Sequence, residues 1–255
     1  VKKDKLSYFG EDWSFSIPQI LLPPLMKNHG NYIVSLGSVC KWLGEVAEGL
    51  GVEIYPGFSA AEVLFNDDGS VKGVATGDMG VSREMEAKDS WEAGMELHAK
   101  FTLFSEGTRG SLSKFLIDNF NLSEGKDFQK YAIGLKEVWE IKEENFSEGL
   151  VEHSMGWPLS DGTNGGSFLY HFDKNLVSIG YVIHLNYTNP YASPFDEFQQ
   201  FKTHPSVKKT LIGGKRLSYG ARAITTGGYQ SVPKLNFPGG ALIGCSAGFL
   251  NYPKI

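Results

Sequence analysis

Cysteine is scarce in this chain: Cys40 and Cys245 are the only two in 255 residues. Two thiols build no disulfide framework, and they are too few to ligate a metal cluster unaided. The six histidines are scattered, with no His-x-x-x-His pair or similar spacing, so no metal site is assigned. Positive charge is also in deficit, since 24 Lys and Arg against 29 Asp and Glu leave a net charge of −5. With no basic stripe and no basic–aromatic cluster, nucleic acid is excluded as a partner. No apolar run is long enough to span a bilayer, and Val1-Lys2-Lys3-Asp4 opens no signal peptide. A start at Val1 reads as an N-terminus that lies further upstream, so the lack of a targeting segment carries little weight.

Glycine is abundant, at 31 residues, and it falls in turns and loops, as in nucleotide-binding α/β proteins. A hydrophobic fraction of 41% and a charged fraction of 21% suit a globular protein with one large domain or two small ones. The best-marked stretch is 235–250. Pro238-Gly239-Gly240 leads into Ala241-Leu242-Ile243, which stops at Gly244-Cys245-Ser246-Ala247-Gly248. This is the pattern of a buried strand ending in a tight turn where backbone can approach a ligand closely. N–H groups opening such a turn suit a phosphate or ribityl chain. A plain connecting turn is the alternative.

Taken in order, residues 17–26 hold three prolines among apolar residues, which predicts an extended segment. It would line an apolar ligand site, face a membrane or serve as a buried connector. Leu36, Val39, Cys40, Leu43, Val46, Ala47 and Leu50 recur at helical spacing, with Ser35 or Asn31 as cap and Cys40 on the inner face. Residues 52–57 read as a short strand. Residues 61–65 and 71–76, joined through Asp68-Gly69, read as a hairpin. Residues 79–96 read as an exposed acidic loop. A strand from His98 to Phe104 ends at the turn Glu106-Gly107, and a helix follows through Leu112, Phe115 and Leu116. Between 131 and 187, alternation such as Val177, Ile179, Tyr181, Ile183 and Leu185 predicts an antiparallel sheet. Ser193-Pro194 predicts a helix start, with the helix ending near Thr203 before Pro205. Lys215, Arg216 and Arg222 read as solvated charges, with anion contact as the alternative.

Several strings together resemble a known family. They are Asn28 to Val34, Gly57 to Thr76, Gly165-Gly166-Ser167-Phe168-Leu169-Tyr170-His171, Asn189 to Phe195, Gly213 to Arg216, Tyr219 to Ala223 and Phe237 to Phe249. The resemblance is to the electron-transfer flavoprotein–ubiquinone oxidoreductases, and it runs over nearly the whole chain. It implies an α/β (α+β) fold: an incomplete FAD-binding Rossmann-like flavoprotein domain with an inserted antiparallel-sheet ubiquinone-binding subdomain. The expected division is 1–128 for part of the FAD domain, 129–212 for the quinone subdomain and 213–255 for the return.

The resemblance implies an oxidoreductase that takes electrons from reduced electron-transfer flavoprotein and passes them to membrane ubiquinone. It implies FAD, one [4Fe–4S] cluster and ubiquinone as acceptor. It also implies monotopic attachment to the mitochondrial inner membrane on the matrix side, or to a bacterial cytoplasmic membrane. Carried over residue by residue, the FAD turns match Glu106, Gly107, Gly110, Gly244, Cys245 and Gly248, with Ser35 at a further cofactor position. The quinone glycines match Gly165 and Gly166. His171 is a candidate quinone hydrogen-bond donor, with a packed strand histidine as the alternative. No catalytic side chain is named, because the cofactors carry the redox chemistry.

Departures accompany the match. The Gly-x-Gly-x-x-Gly phosphate turn and the four cluster cysteines are absent, which reads as a fragment. Ser35 stands where the family has Arg, and Thr108-Arg109 where it has Cys-His. Two other readings stay open: another FAD-dependent enzyme of this fold, such as a hydroxylase or prenyl reductase, or an inactive remnant.

Overall fold

The computed structural model describes residues 1–160 and 162–250. In chain order the strands and helices are β1 (Lys3–Phe9), β2 (Ser14–Ile17), α1 (Leu36–Gly49), β3 (Ala60–Phe65), β4 (Val71–Thr76), β5 (Met79–Val81), β6 (Ala87–Glu92), β7 (Glu96–His98) and β8 (Thr102–Phe104). There follow α2 (Ser111–Asn119), β9 (Tyr131–Glu140), β10 (Leu150–Gly156), β11 (Gly165–Phe172), β12 (Leu176–His184), α3 (Pro194–Thr203), α4 (Pro205–Leu211), β13 (Lys215–Thr225), β14 (Asn236–Phe237) and β15 (Gly240–Leu242). The chain divides into two compact units, residues 1–39 with 130–226 and residues 40–129 with 227–250.

The first unit is a seven-stranded sheet in the order β13-β9-β12-β11-β10-β1-β2, antiparallel except between β1 and β10. Strict alternation makes it. Val177, Ile179, Tyr181 and Ile183 of β12 are buried on one face, against Phe198 and Phe201 of α3 and Val207 and Leu211 of α4. Leu185, expected on the same face, lies past the strand end and is exposed. The Ser193 hydroxyl accepts from Asp196 N–H at 3.3 Å and caps α3, with Pro194 at its first position. The buried Glu137 carboxylate is held by Lys202 Nζ at 2.9 Å, Arg216 at 3.2 Å and Trp139 Nε1 at 2.8 Å.

Two features of this unit differ from the expectation. β13, an 11-residue strand, pairs with β9 from Thr225↔Tyr131 to Lys215↔Glu140. It is an edge strand, mostly exposed and polar, so it carries no alternation to read. Its pairing, with that of β1 and β2, puts both flanks on this sheet, where the expected boundaries fall at 128/129 and 212/213. Residues 19–21 and 24–26 form single 3₁₀ turns rather than extended chain. Ile20 is 86% exposed and Leu21 and Leu25 are also exposed, so the segment is not a buried connector, although Leu22 is buried.

The second unit holds the β3–β4 hairpin, with Asp68 Oδ1 accepting from the Ser70 N–H and hydroxyl across its turn. Residues 79–96 are not a loop: β5 and β6 pair antiparallel, and β7 joins β4. Residues 52–57 form no ladder, so the expected strand is absent there. β14, β15 and β8 make a small sheet covered by α2, with Phe104, Leu112, Leu116, Leu122, Phe237 and Leu242 buried around it. Full burial of a leucine such as Leu116 is worth about 2 kcal/mol.

The helix α1 forms where the periodicity predicts it, yet none of its residues is buried, and Cys40 is exposed. Periodicity specifies which side of a helix is apolar. Burial needs an opposing layer, and the following segment, itself exposed at Val52, Ile54 and Tyr55, provides little of one.

Candidate functional site

The glycine turns at 107 and 244 are brought side by side by strand pairing. β15 runs parallel to β8, with Gly240↔Thr102, Ala241↔Leu103 and Leu242↔Phe104 in register. Both strands therefore end at the same edge of the sheet, and each ends in a glycine turn. Ile243 N–H donates to the Phe104 carbonyl at 3.0 Å. The Ser246 hydroxyl donates to the Gly107 carbonyl at 3.1 Å and ties one turn to the other. Residues 244–247 form one 3₁₀ turn, closed by Gly248, whose N–H donates to the Cys245 carbonyl at 3.1 Å.

Gly107 (φ +86°) and Gly244 (φ +60°) both have left-handed backbone, and nothing lies within 4 Å of where a Cβ would stand. The turns thus leave an open cradle at the carboxyl ends of parallel strands, the edge where α/β sheets bind ligands. That cradle fits the FAD that the family resemblance implies.

The expected cofactor residues do not all serve in the same way. The Glu106 carboxylate accepts from Leu112 N–H at 3.3 Å, Ser113 N–H at 2.6 Å and the Ser113 hydroxyl at 2.7 Å. It caps α2, whose N-cap residue, Gly110, has no side chain of its own. A Cβ on Gly110 would stand 2.3 Å from the Glu106 side chain. Glu106 therefore builds the turn, and what it leaves for a ligand is backbone. Cys245 is exposed on the 244–247 turn. Ser35 lies in the other unit, where its hydroxyl accepts from Ser38 N–H at 3.4 Å at the start of α1. Ser246, which joins the turns, was not legible as a site residue, because nothing local in sequence marks its partner.

The second candidate site is the start of β11. Gly165 pairs with Ile183 and Gly166 with Val182 on β12, whereas the ladder to β10 stops at Ser154↔Ser167. His184 N–H donates to the Asn164 carbonyl, so Asn164 and His184 form a hydrogen-bonded pair. By antiparallel alternation Gly165 then turns its N–H and C=O away from β12, toward the side where β10 has left the ladder. A Cβ on Gly165 would stand 2.2 Å from the Val182 carbonyl oxygen and 2.6 Å from Leu159 Cδ1. Only glycine fits there, and its backbone is placed to meet a ligand oxygen.

His171 does not belong to that site. It is six residues along β11 from Gly165, about 20 Å at strand spacing. It is 1% exposed, its Nδ1 accepts from Ser147 N–H at 3.1 Å, and its ring packs on Phe146 at 5.5 Å. Burial pulls its pKa down to about 4, so the imidazole is neutral at physiological pH. The packed-histidine alternative is the one the geometry supports.

Among the described residues no group of three or more His, Cys, Asp or Glu side chains is placed to hold a metal ion. With only two cysteines in the sequence, the donor set does not fit a [4Fe–4S] cluster. Among the described residues, no helix is long and apolar enough to cross a membrane.

Residues 131–224, the span from β9 to the end of β13, match the family model described as ETF-QO, ubiquinone-binding. The mitochondrial electron transfer flavoprotein–ubiquinone oxidoreductase of Homo sapiens is 55% identical over 258 residues, covering 100% of this chain and 42% of that protein. Its Pseudomonas aeruginosa counterpart is 55% identical over 240 residues, covering 94% of this chain and 44% of that protein. The chain thus spans less than half the length of these relatives. Among solved structures, a geranylgeranyl bacteriochlorophyll reductase-like protein from Thermoplasma acidophilum matches with a TM-score of 0.65 at 14% identity, covering 97% of this chain and 55% of that one. A triple mutant of the flavin-dependent brominase Bmp2 matches with a TM-score of 0.62 at 15% identity, covering 99% and 57%. The mixed α/β fold is shared with these solved structures.

Proposed function

We propose that this chain, similar along its whole length to the electron transfer flavoprotein–ubiquinone oxidoreductases, provides the ubiquinone-binding sheet and part of the FAD site of such an enzyme. The activity is electron transfer from reduced electron-transfer flavoprotein to membrane ubiquinone. The observation that carries the reading is the match of residues 131–224 to the ubiquinone-binding family model, on a sheet whose glycine-bordered end frees the Gly165 backbone.

Bound FAD would accept and pass on the electrons. Gly107, Gly110, Gly244, Cys245 and Gly248 would hold it by backbone, with Glu106 and Ser246 keeping the two turns in place. Gly165 would offer its backbone to a quinone oxygen, and Gly166, whose own N–H and C=O are turned toward Val182, would leave room for the quinone beside it by having no side chain. The iron–sulfur cluster implied by the resemblance has no ligand set in these 255 residues and takes no part in the chemistry assigned to them.

Attachment to a membrane surface, the mitochondrial inner membrane on its matrix side or a bacterial cytoplasmic membrane, is supported by exposed apolar side chains along residues 8–25. Tyr8, Trp13 and Phe15 form a mutual ring cluster with centroids 5.8–6.2 Å apart. Trp13, Phe15, Ile20, Leu21 and Leu25 are all more than half exposed. Exposed aromatic and aliphatic side chains of this kind suit the lipid interface.

The test is Gly166→Leu in the complete oxidoreductase carrying this sequence. The expected result is loss of ubiquinone reduction with flavin content unchanged. Normal ubiquinone turnover in that variant would overturn the assignment.

A further inference from the structure

Resting on the quinone reading above, we propose that His153 and Tyr170 form the proton-delivery pair for a quinone held at Gly165–Gly166. Turning a quinone into a quinol adds two electrons and two protons. The electrons are the flavin's contribution, and the protons have to come from protein or water. The sheet has two faces. On one face Ser167, Leu169 and His171 of β11 are buried in the core; on the other stand Gly166, Phe168 and Tyr170.

Residues paired across strands share a face, so that second face can be followed from strand to strand. His153 of β10 stands opposite Phe168 and opposite Leu6 of β1, and Val151 stands opposite Tyr170. His153 and Tyr170 are therefore diagonal neighbours. His153 Nε2 lies 2.6 Å from the Tyr170 hydroxyl, with the rings edge-to-face at 5.4 Å. One step further along the same face brings Met155 on β10, paired with Tyr8 on β1, and Gly166 on β11. That step is two residues, or about 7 Å. Both members of the pair are half-buried, and Met155, between them and the sheet end, is exposed.

The two groups have the chemistry for a relay. A tyrosine hydroxyl donates and accepts at once, and an imidazole takes a proton at one nitrogen while releasing one from the other. A proton entering at the Tyr170 hydroxyl passes to His153 Nε2, and the proton on Nδ1 goes to the quinone carbonyl oxygen at the glycine end. That oxygen gains an O–H bond, and the hydroxyl is reprotonated from solvent. Solvent supplies the proton of the other quinone oxygen. Asp4 stands on the same face, opposite Val151, at the Tyr170 end of the pair. Burial, with Asp4 adding to it, holds the Tyr170 phenol well above its ordinary pKa, so the hydroxyl keeps its proton between transfers.

The experiment uses Tyr170→Phe and His153→Gln in the complete oxidoreductase. Four quantities are read: ubiquinone binding, electron transfer to a metal-complex oxidant that takes up no proton, ubiquinone reduction in H2O and D2O, and the redox-difference infrared spectrum with 15N-labelled histidine. In both variants binding and transfer to the metal complex should match the parent. Ubiquinone reduction should slow about 100-fold, the low end of what a positioned proton donor contributes. Its solvent isotope effect should rise. The histidine bands of the parent's infrared difference spectrum should vanish in His153→Gln. Normal ubiquinone reduction in Tyr170→Phe, with no labelled histidine band in the parent, would overturn the relay while leaving the quinone site standing. Failure of the parent to bind ubiquinone would overturn the site and the relay with it. Tyr170→Phe keeps the ring and its 4.9 Å packing on Phe168, so it decides the matter even if His153→Gln fails to fold.

Discussion

Lowering the pH should destabilise this protein through His171 more than through an ordinary histidine. The ring is buried, its Nδ1 accepts from the Ser147 N–H, and desolvation pulls its pKa from 6.5 to about 4. The unfolded chain therefore binds a proton between pH 6.5 and 4 that the folded chain does not. Stability is full above the unfolded value and falls as the pH drops through that window. The gap, at about 1.36 kcal/mol per pH unit, amounts to roughly 3 kcal/mol. About 2 kcal/mol of it is already lost at pH 5. The assay is denaturant unfolding at pH 7 and pH 5 for the parent and for His171→Asn. Asparagine keeps an acceptor for Ser147 but does not titrate. All other histidines cancel in the difference of differences, so the parent should lose about 2 kcal/mol more than the variant between the two pH values. Equal losses would mean that His171 titrates freely in the folded state, and the packed, neutral assignment would be wrong.

Three further outcomes follow from single contacts. Glu106→Ala removes all three hydrogen bonds that cap α2 and should cost about 1–2 kcal/mol in unfolding experiments, with weaker flavin retention because the Gly107 turn loses its anchor. Gly165→Ala puts a Cβ 2.2 Å from the Val182 carbonyl oxygen and should lower the melting temperature even with no quinone present, whereas Gly107→Ala meets no atom and carries only backbone strain of about 1–2 kcal/mol. Glu137→Ala leaves Lys202 without its carboxylate beside the Phe198 and Trp139 rings and should cost on the order of 3 kcal/mol. Burial pushes the Glu137 carboxyl up, but Lys202, Trp139 and Arg216 outweigh it, and it titrates below the usual glutamate range. Its contribution should therefore persist above the unfolded value and fade only in acid, as the pH falls through the folded one.

Local signals carried much of the fold. The Asp68-Gly69 turn, the Ser193-Pro194 cap and the alternation of β12 each depend on a few neighbouring residues, and each is present. β13 was not legible, because an exposed edge strand has no buried side to pattern. The acidic 79–96 stretch was misread for the same reason: β6 is exposed along its whole length, and only its pairing with β5 makes it a strand. His171 was placed near the quinone glycines because it shares their strand. The length of that strand would have put it at the far end, and its alternation on the face opposite Gly166. The same count would have singled out Tyr170.

By itself the sequence determined where the chain turns and which residues alternate, since glycine conformations and period-two patterns depend on residues close in the chain. It also carried the similarity to the electron transfer flavoprotein–ubiquinone oxidoreductases, through strings specific enough to be matched. The tertiary structure decided what those turns are for. Gly107 and Gly244 meet only because β8 and β15 pair in parallel across more than a hundred intervening residues. His153 meets Tyr170 only because β10 and β11 pair in one register. A shift of one residue would turn one of the two side chains to the other face. Register between distant strands is set by the summed burial of whole faces, and no short stretch of sequence contains that sum.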